Sequence, residues 1–377
     1  MHRNSNFEKL IAAGVRGLQP YVPGKPIEEL ERELGISESL KLASNENPLG
    51  PPESALAAIR EHLHEVALYP DGCGYALKQA LGVHHDVDPA QITLGNGSND
   101  ILVLLAEAFL TSAVNAVYDQ HSFVVYRLAV QSTGAQARVA PSNPTNHRQP
   151  LGHDLDAISA LIDAQSRLVF LANPNNPTGT WCNEDELRSF VAGVPTETII
   201  VLDEAYAEYV VDPAYPHTFG WIDEFPNLVV TRTFSKIYGL AGLRVGYSIS
   251  HPDVAEVLNR VRQPFNVNTL AQIGAIAALQ DAAHVEMARK MNTEELRVLS
   301  NGLKSFGLEV IPSMGNFVLV NMGQSAANIY NALLQAGIIV RPVANYGLPN
   351  YLRITVGLPE QNQRLLAELK NILAQTN

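Results

Sequence analysis

The chain has 377 residues, 46% of them hydrophobic and 17% charged, enough for one large buried core and a second, smaller one. Its 38 acidic and 26 basic residues give a net charge of −12, which argues against a nucleic-acid backbone or an anionic membrane as the main partner. Two cysteines, Cys73 and Cys182, show neither metal-ligand spacing nor a disulfide pattern and fit a reducing cytoplasm.

The first twenty residues carry Arg3, Glu8, Lys9 and Arg16 with no continuous apolar core, so no secretory leader is expected. No run of about eighteen apolar residues suggests a membrane span anywhere. An arm with Pro20, Pro23 and Pro26 comes next, expected to be irregular and to pack along the body or a partner. The stretch "HHDVD" at 84–88 offers two histidines and two aspartates, and its position before an apolar run favours a solvated connecting loop over a metal site.

Strand and helix patterns then alternate. Residues 92–94 read as a strand before a helix over about 98–110, and 115–118 as a strand before a helix starting near Phe123. Residues 167–172 lead to a helix opening at Asn183, whose first turn Glu184, Asp185 and Glu186 suits the positive end of the helix dipole. Residues 198–202 and 228–233 are two more buried strands. The alternation predicts an α/β fold with a mainly parallel central sheet flanked by helices. Past residue 284 a long charged helix and strands near 317–320, 338–340 and 352–356 predict a smaller α+β domain. The expected division is an arm and start of the small-domain region over 1–45, a large domain over 46–284 and a small domain over 285–377.

Chemistry concentrates at strand ends, where open α/β sheets bind ligands. Lys236 follows the strand at 228–233 and precedes Gly239, Gly242 and Gly246, so the chain turns sharply around it. A lysine desolvated there loses its proton readily and becomes a nucleophile toward an aldehyde, whereas a lysine at a random position is a surface residue. "GNGSND" at 95–100 opens a helix with backbone N–H groups available to a phosphate, although Asp100 replaces the third glycine of a dinucleotide fingerprint and a plain structural turn is the competing reading. "NPNNPTG" at 173–179 ends another strand, with Asn176 directed at the crevice. Asp203 in "VLDEAY" closes an apolar run, a costly position for a carboxylate unless it meets a cation or a core donor. Ser235 and Arg244 flank the lysine and suit a phosphate. Phosphate clamp, buried carboxylate, amide and amine together match the groups of pyridoxal 5'-phosphate.

The ordered set "PGKP", "KLASNENPLGPP", "YPDG", "NPNNPTG", "DEAY", "TFSKIYGLAGLRVGY" and "LRITVG" resembles the class I/II aminotransferases of PLP fold type I, most closely the branch acting on histidinol phosphate. The resemblance runs from about Tyr21 to the last helix. It implies that Lys236 is the Schiff-base lysine and proton carrier, that Asp203 pairs with the pyridine nitrogen, and that Asn176 and Tyr206 bond the ring oxygen. It further implies that Ser98, Asn99, Ser235 and Arg244 hold the cofactor phosphate, with Tyr69 reaching the phosphate of the neighbouring subunit's cofactor in a homodimer. Phe123 stands where many relatives carry a stacking tyrosine. Tyr21, Arg341 and Arg353 are the implied substrate set, with Asn45 near the same mouth, and histidinol phosphate and glutamate or 2-oxoglutarate are the implied substrates. Aromatic amino acids, decarboxylation of a phosphorylated amino acid, a cofactor-sensing regulator and a nicotinamide dehydrogenase are the competing readings. Neither chain end has room or charge for the DNA-binding module a regulator needs, and a dehydrogenase leaves Lys236 unexplained.

Overall fold

The computed structural model describes residues 7–376, so Arg3 lies outside the described residues. Thirteen strands are described: β1 Leu40–Lys41, β2 Ile92–Gly95, β3 Asn115–Asp119, β4 Gln136–Ala140, β5 Ser166–Ala172, β6 Ile199–Asp203, β7 Leu228–Thr233, β8 Gly246–Ser250, β9 Glu309–Ile311, β10 Phe317–Asn321, β11 Ile338–Ile339, β12 Arg341–Pro342 and β13 Tyr351–Thr355. Seven form one sheet in the order β2-β8-β7-β6-β5-β3-β4. Neighbours from β7 to β4 pair in parallel, and β8 runs antiparallel to both β2 and β7.

Successive side chains of a strand point to opposite faces, and the two faces of this sheet are both covered. Val117, Val169, Leu171, Ile200 and Leu202 belong to one apolar cluster. Ala116, Leu168, Phe170, Ile199 and Val201 belong to the other. Burial on both faces explains why β5, β6 and β7 read as nearly unbroken apolar runs. The chain order reverses between β3 and β5, so the loops after these strands diverge and leave a crevice at their carboxyl ends.

A four-stranded antiparallel sheet, β12-β13-β10-β9, forms a second layer with its own core of Leu299, Leu303, Val318, Val320, Leu352 and Ile354. The strand expected at 338–340 is present as β11, where Ile338 and Ile339 pair in parallel with Leu40 and Lys41. Directly after Val340 a further short strand, β12, carries Arg341 and Pro342 to the edge of the four-stranded sheet. That second pairing depends on a distant strand, which periodicity does not encode. Among the described residues no helix is long and apolar enough to cross a membrane.

One local expectation changes. His84 and His85 form the last turn of the helix Tyr75–His85, which Asp86 ends in a left-handed conformation at φ 54°. His85 Nε2 lies 2.6 Å from Tyr247 Oη, and burial pushes its pKa down to about 3. It is a packed end of a helix instead of part of a solvated loop. The helix expected to open at Asn183 spans Glu184–Gly193, and its reciprocal cap links Asn183 Oδ1 to the Glu186 N–H at 2.9 Å and Glu186 Oε2 to the Asn183 N–H at 3.0 Å.

Gly246 brings β8 against the start of the helix Ser98–Phe109. A methyl group there would lie 2.4 Å from the Ser98 nitrogen and 2.8 Å from the Gly97 carbonyl carbon, both backbone atoms. Gly246→Ala is therefore expected to lower stability by roughly 1–3 kcal/mol through overpacking. Gly242→Ala, at a site with no atom within 4 Å, serves as the near-neutral control. Equal unfolding midpoints for the two variants would contradict this packing.

Candidate active site

The carboxyl ends of β2, β5, β6 and β7 converge on one cleft. Thirteen of the fourteen residues singled out from the sequence line it: Tyr21, Asn45, Ser98, Asn99, Phe123, Asn176, Asp203, Tyr206, Ser235, Lys236, Arg244, Arg341 and Arg353. Tyr69 does not. It is 83% exposed and stacks on Phe265 at 4.8 Å, away from the cleft of its own chain.

Lys236 lies three residues past β7, its side chain half-buried in the cleft wall. Its Nζ donates to the Ser44 carbonyl at 3.0 Å and lies 5.6 Å from the Tyr206 ring centroid. Burial, and then the charge of Arg353, push its pKa down to about 7, with Glu46 opposing. A large fraction of this amine is thus neutral and nucleophilic near neutral pH.

Asp203 ends β6 on the same cleft and is only 5% exposed. Burial lifts its pKa to about 6, against hydrogen bonds that favour the carboxylate. The shortest of these comes from Tyr126 Oη to Oδ2 at 3.0 Å; the Ala205 N–H at 3.3 Å and Thr231 Oγ1 at 3.4 Å reach Oδ1. The neighbouring acid Glu204 turns the other way, to Arg232 Nη2 at 2.6 Å and Nε at 2.8 Å and to Thr218 Oγ1 at 2.7 Å. Adjacent acids at a strand end therefore divide their work, one facing the cleft and one neutralised within an ion cluster that also takes in Glu208.

The helix Ser98–Phe109 opens toward the cleft behind Gly97, which has φ 81° and offers no side-chain cap. Its first-turn N–H groups are the ready donors for an anion. Arg244, left-handed at φ 56°, donates from Nη1 to Ser235 Oγ at 3.1 Å, and a Cβ on Gly97 would come within 2.4 Å of its Nη2. Helix terminus, hydroxyl and guanidinium thus meet in one cradle that fits a phosphate group.

Two more guanidiniums form the opposite wall. Arg341 and Arg353 are direct cross-strand partners on β12 and β13 and are 8% and 7% exposed. Arg353 donates to Asn176 Oδ1 at 2.5 Å and to the Ala43 carbonyl at 2.7 Å, while its Nε is buried without a partner. Arg341 donates to the Val22 carbonyl at 2.7 Å and lies over the Tyr21 ring at 5.5 Å. Among the described residues neither meets a carboxylate within ion-pair distance. Burying two such cations side by side is costly unless an anion joins them.

Several participants escaped the sequence reading. Tyr126 follows Phe123 by three residues and shares its helix face, so the two rings meet edge to face at 5.9 Å. That i,i+3 spacing was the only available signal for its contact with Asp203. Ser44 acts through its backbone and left no signal at all. Thr355 and Tyr346 gave none beyond belonging to a buried strand and a turn.

The model of the family described as "Aminotransferase class I and II" matches residues 37–369. The chain is 52% identical over 374 residues to histidinol-phosphate aminotransferase 2 of Pseudomonas fluorescens, covering 99% of this chain and 100% of that one. It is likewise 52% identical over 372 residues to histidinol-phosphate aminotransferase 2 of Pseudomonas aeruginosa, covering 98% of this chain and 99% of that one. Its fold is similar to the crystal structure of histidinol-phosphate aminotransferase from Sinorhizobium meliloti in complex with pyridoxal-5'-phosphate, with TM-score 0.89, 30% identity and full coverage of both chains. With a nucleophilic lysine, a buried carboxylate and an anion cradle on one cleft, and a family match across most of its length, the chain belongs to the class I and II aminotransferases.

Proposed function

We propose that the cleft holds pyridoxal 5'-phosphate and that the protein is a transaminase exchanging the amino group between L-histidinol phosphate and 2-oxoglutarate, yielding imidazole acetol phosphate and L-glutamate in histidine biosynthesis. The observation that carries the substrate reading is the pair of buried guanidiniums, Arg341 and Arg353, which line the cleft with the lysine and meet no carboxylate within ion-pair distance among the described residues. The names of the full-length relatives favour the same substrate over aromatic amino acids or a decarboxylation.

When bound, the cofactor supplies an aldehyde and a protonated pyridine ring that withdraws electrons. Asp203, steadied by Tyr126, keeps the proton on the ring nitrogen through its negative charge. Asn176 and Tyr206 donate to the ring oxygen, and Phe123 covers the ring. Ser98, Asn99, Ser235 and Arg244 take the phosphate. Lys236 would present its amine to the aldehyde and would also be the group that takes the proton from the amine-bearing carbon of the substrate and gives it back during transamination. Arg353 pairs with the anionic group of either substrate, since a planar guanidinium suits phosphate monoester and carboxylate alike. Arg341 and Tyr21 add donors that the larger, more highly charged phosphate uses, and Asn45 closes the mouth. In this reading residues 46–284 carry the cofactor, while 285–377 and the arm of 1–45 close over the substrate.

The protein acts as a cytoplasmic homodimer in this proposal. Tyr69 is exposed beside Leu68, which is 72% exposed, and this apolar surface suits a second copy whose cleft Tyr69 completes.

With saturating 2-oxoglutarate, kcat/KM for histidinol phosphate is expected to exceed that for phenylalanine by about 100-fold or more, and Arg341→Ala to narrow the ratio. Parity in the wild-type enzyme would refute the assignment. Because only the neutral amine attacks an aldehyde, cofactor uptake by the apoprotein should accelerate as pH rises through about 7 and level off above it, as stopped-flow absorbance can show. A rate independent of pH between 6 and 8 would speak against a depressed Lys236. Finally, mixing Tyr69→Ala with Lys236→Ala protomers should restore activity, since half the sites of a hybrid dimer carry both native residues. No recovery after verified subunit exchange would remove Tyr69 from the neighbouring site.

A further inference from the structure

Thr355 ends β13 two residues past Arg353, so both side chains leave the same face of the strand. Its hydroxyl accepts from the Asn45 backbone N–H at 3.0 Å and donates to Asn45 Oδ1 at 3.0 Å. Asn45 is itself held in a left-handed conformation at φ 55°, and Asn316 Nδ2 donates to its carbonyl at 3.0 Å. From the other end of the amide, Asn45 Nδ2 donates to Tyr206 Oη at 2.9 Å. All three members are nearly dry, with Asn45 1%, Thr355 4% and Tyr206 4% exposed.

The direction of this chain follows from proton counting. A threonine hydroxyl has one proton, and since the backbone N–H already occupies a lone pair, that proton goes to Asn45 Oδ1, its one acceptor among the described residues. The amide oxygen is thereby fixed toward Thr355 and the amide nitrogen toward Tyr206. An amide nitrogen donates and does not accept, so Tyr206 Oη must accept from it and turn its own proton elsewhere. The remaining open direction is the cleft that Tyr206 lines with Lys236 and Asn176. With the amide reversed, the Thr355 proton would be buried without an acceptor and Tyr206 would donate into Asn45.

We propose that Thr355 and Asn45 are positioning residues that form a directional relay, aiming the Tyr206 hydroxyl proton at the ring oxygen of the bound cofactor. The proposal rests on the cofactor reading above and deepens it: the strand that offers Arg353 to the substrate anion also sets the donor that steadies the cofactor's oxygen. Substrate engagement and cofactor ionisation thus share one element, β13.

The test is a pH titration of the visible absorption of the cofactor-loaded protein. Removing a donor from an oxygen that is anionic in the deprotonated form raises its proton affinity. Thr355→Val, which keeps the shape and loses the hydroxyl, is expected to raise the absorption midpoint by about one pH unit, while Thr355→Ser holds the wild-type value. Asn45→Gly, at ease at a positive φ and lacking the amide, should shift it the same way and decides the matter if Thr355→Val fails to fold. Added to Tyr206→Phe, Thr355→Val should produce no further shift, because the proton it aims is already gone. A wild-type midpoint in Thr355→Val or Asn45→Gly, or an undiminished shift on top of Tyr206→Phe, would overturn the relay while leaving the cofactor reading intact. A wild-type protein that takes up no pyridoxal phosphate would overturn both.

Discussion

Desolvated charge is the constraint around which this molecule is built. Asp203, Lys236, Arg341 and Arg353 reach one cleft from two sheets, and burial raises the proton affinity of the acid while lowering that of the amine. A cluster of this kind costs stability unless something on the protein or on a ligand answers each charge. The protein answers the carboxylate with neutral donors, Tyr126, Thr231 and the Ala205 N–H, and leaves the guanidiniums to backbone carbonyls and one amide. What remains unanswered is positive charge, which suits the phosphate of the cofactor and an anionic substrate.

Fold and chemistry are linked through strand alternation. Because side chains leave a strand on alternating faces, Asp203 and Glu204 separate at the end of β6, and the Glu204 charge is neutralised by Arg232 away from the cleft. Without that pairing a second buried carboxylate would sit beside the first and raise its proton affinity further, costing Asp203 the charge it needs. The same geometry at β13 carries Arg353 and Thr355 together. Glycines at Gly97 and Gly246 let the helix start, β8 and Arg244 approach closely enough to make an anion cradle. Packing, in this protein, is how the electrostatics is aimed.

Much of this was legible in the residues. Strands β5 to β7 are buried on both faces and so carry unbroken apolar runs, and the polar residues that follow them stand out against that background. Lys236, Asp203 and Asn176 were visible for that reason. Other features depend on contacts between distant segments, which a linear pattern does not carry. The separation of β11 from β12 into two sheets reflects the pairing of Ile338 and Ile339 with Leu40 and Lys41, some three hundred positions earlier. Tyr126 reads as an ordinary core aromatic until the end of β6 is laid beside it. His84 and His85 look polar and solvated, yet Tyr247 and Phe219 draw His85 into a packed helix end. The exposed position of Tyr69 gains a role only in the proposed homodimer.

In the proposed function the desolvated amine of Lys236 is the group that meets the cofactor's aldehyde. Borohydride reduction of the cofactor-loaded protein, followed by proteolysis and mass spectrometry of the peptides, tests it directly. A pyridoxyl phosphate mass increment confined to the peptide bearing Lys236 is the predicted result. An increment on another lysine, such as Lys41 or Lys78, or an unlabelled Lys236 peptide from fully loaded protein, would contradict it.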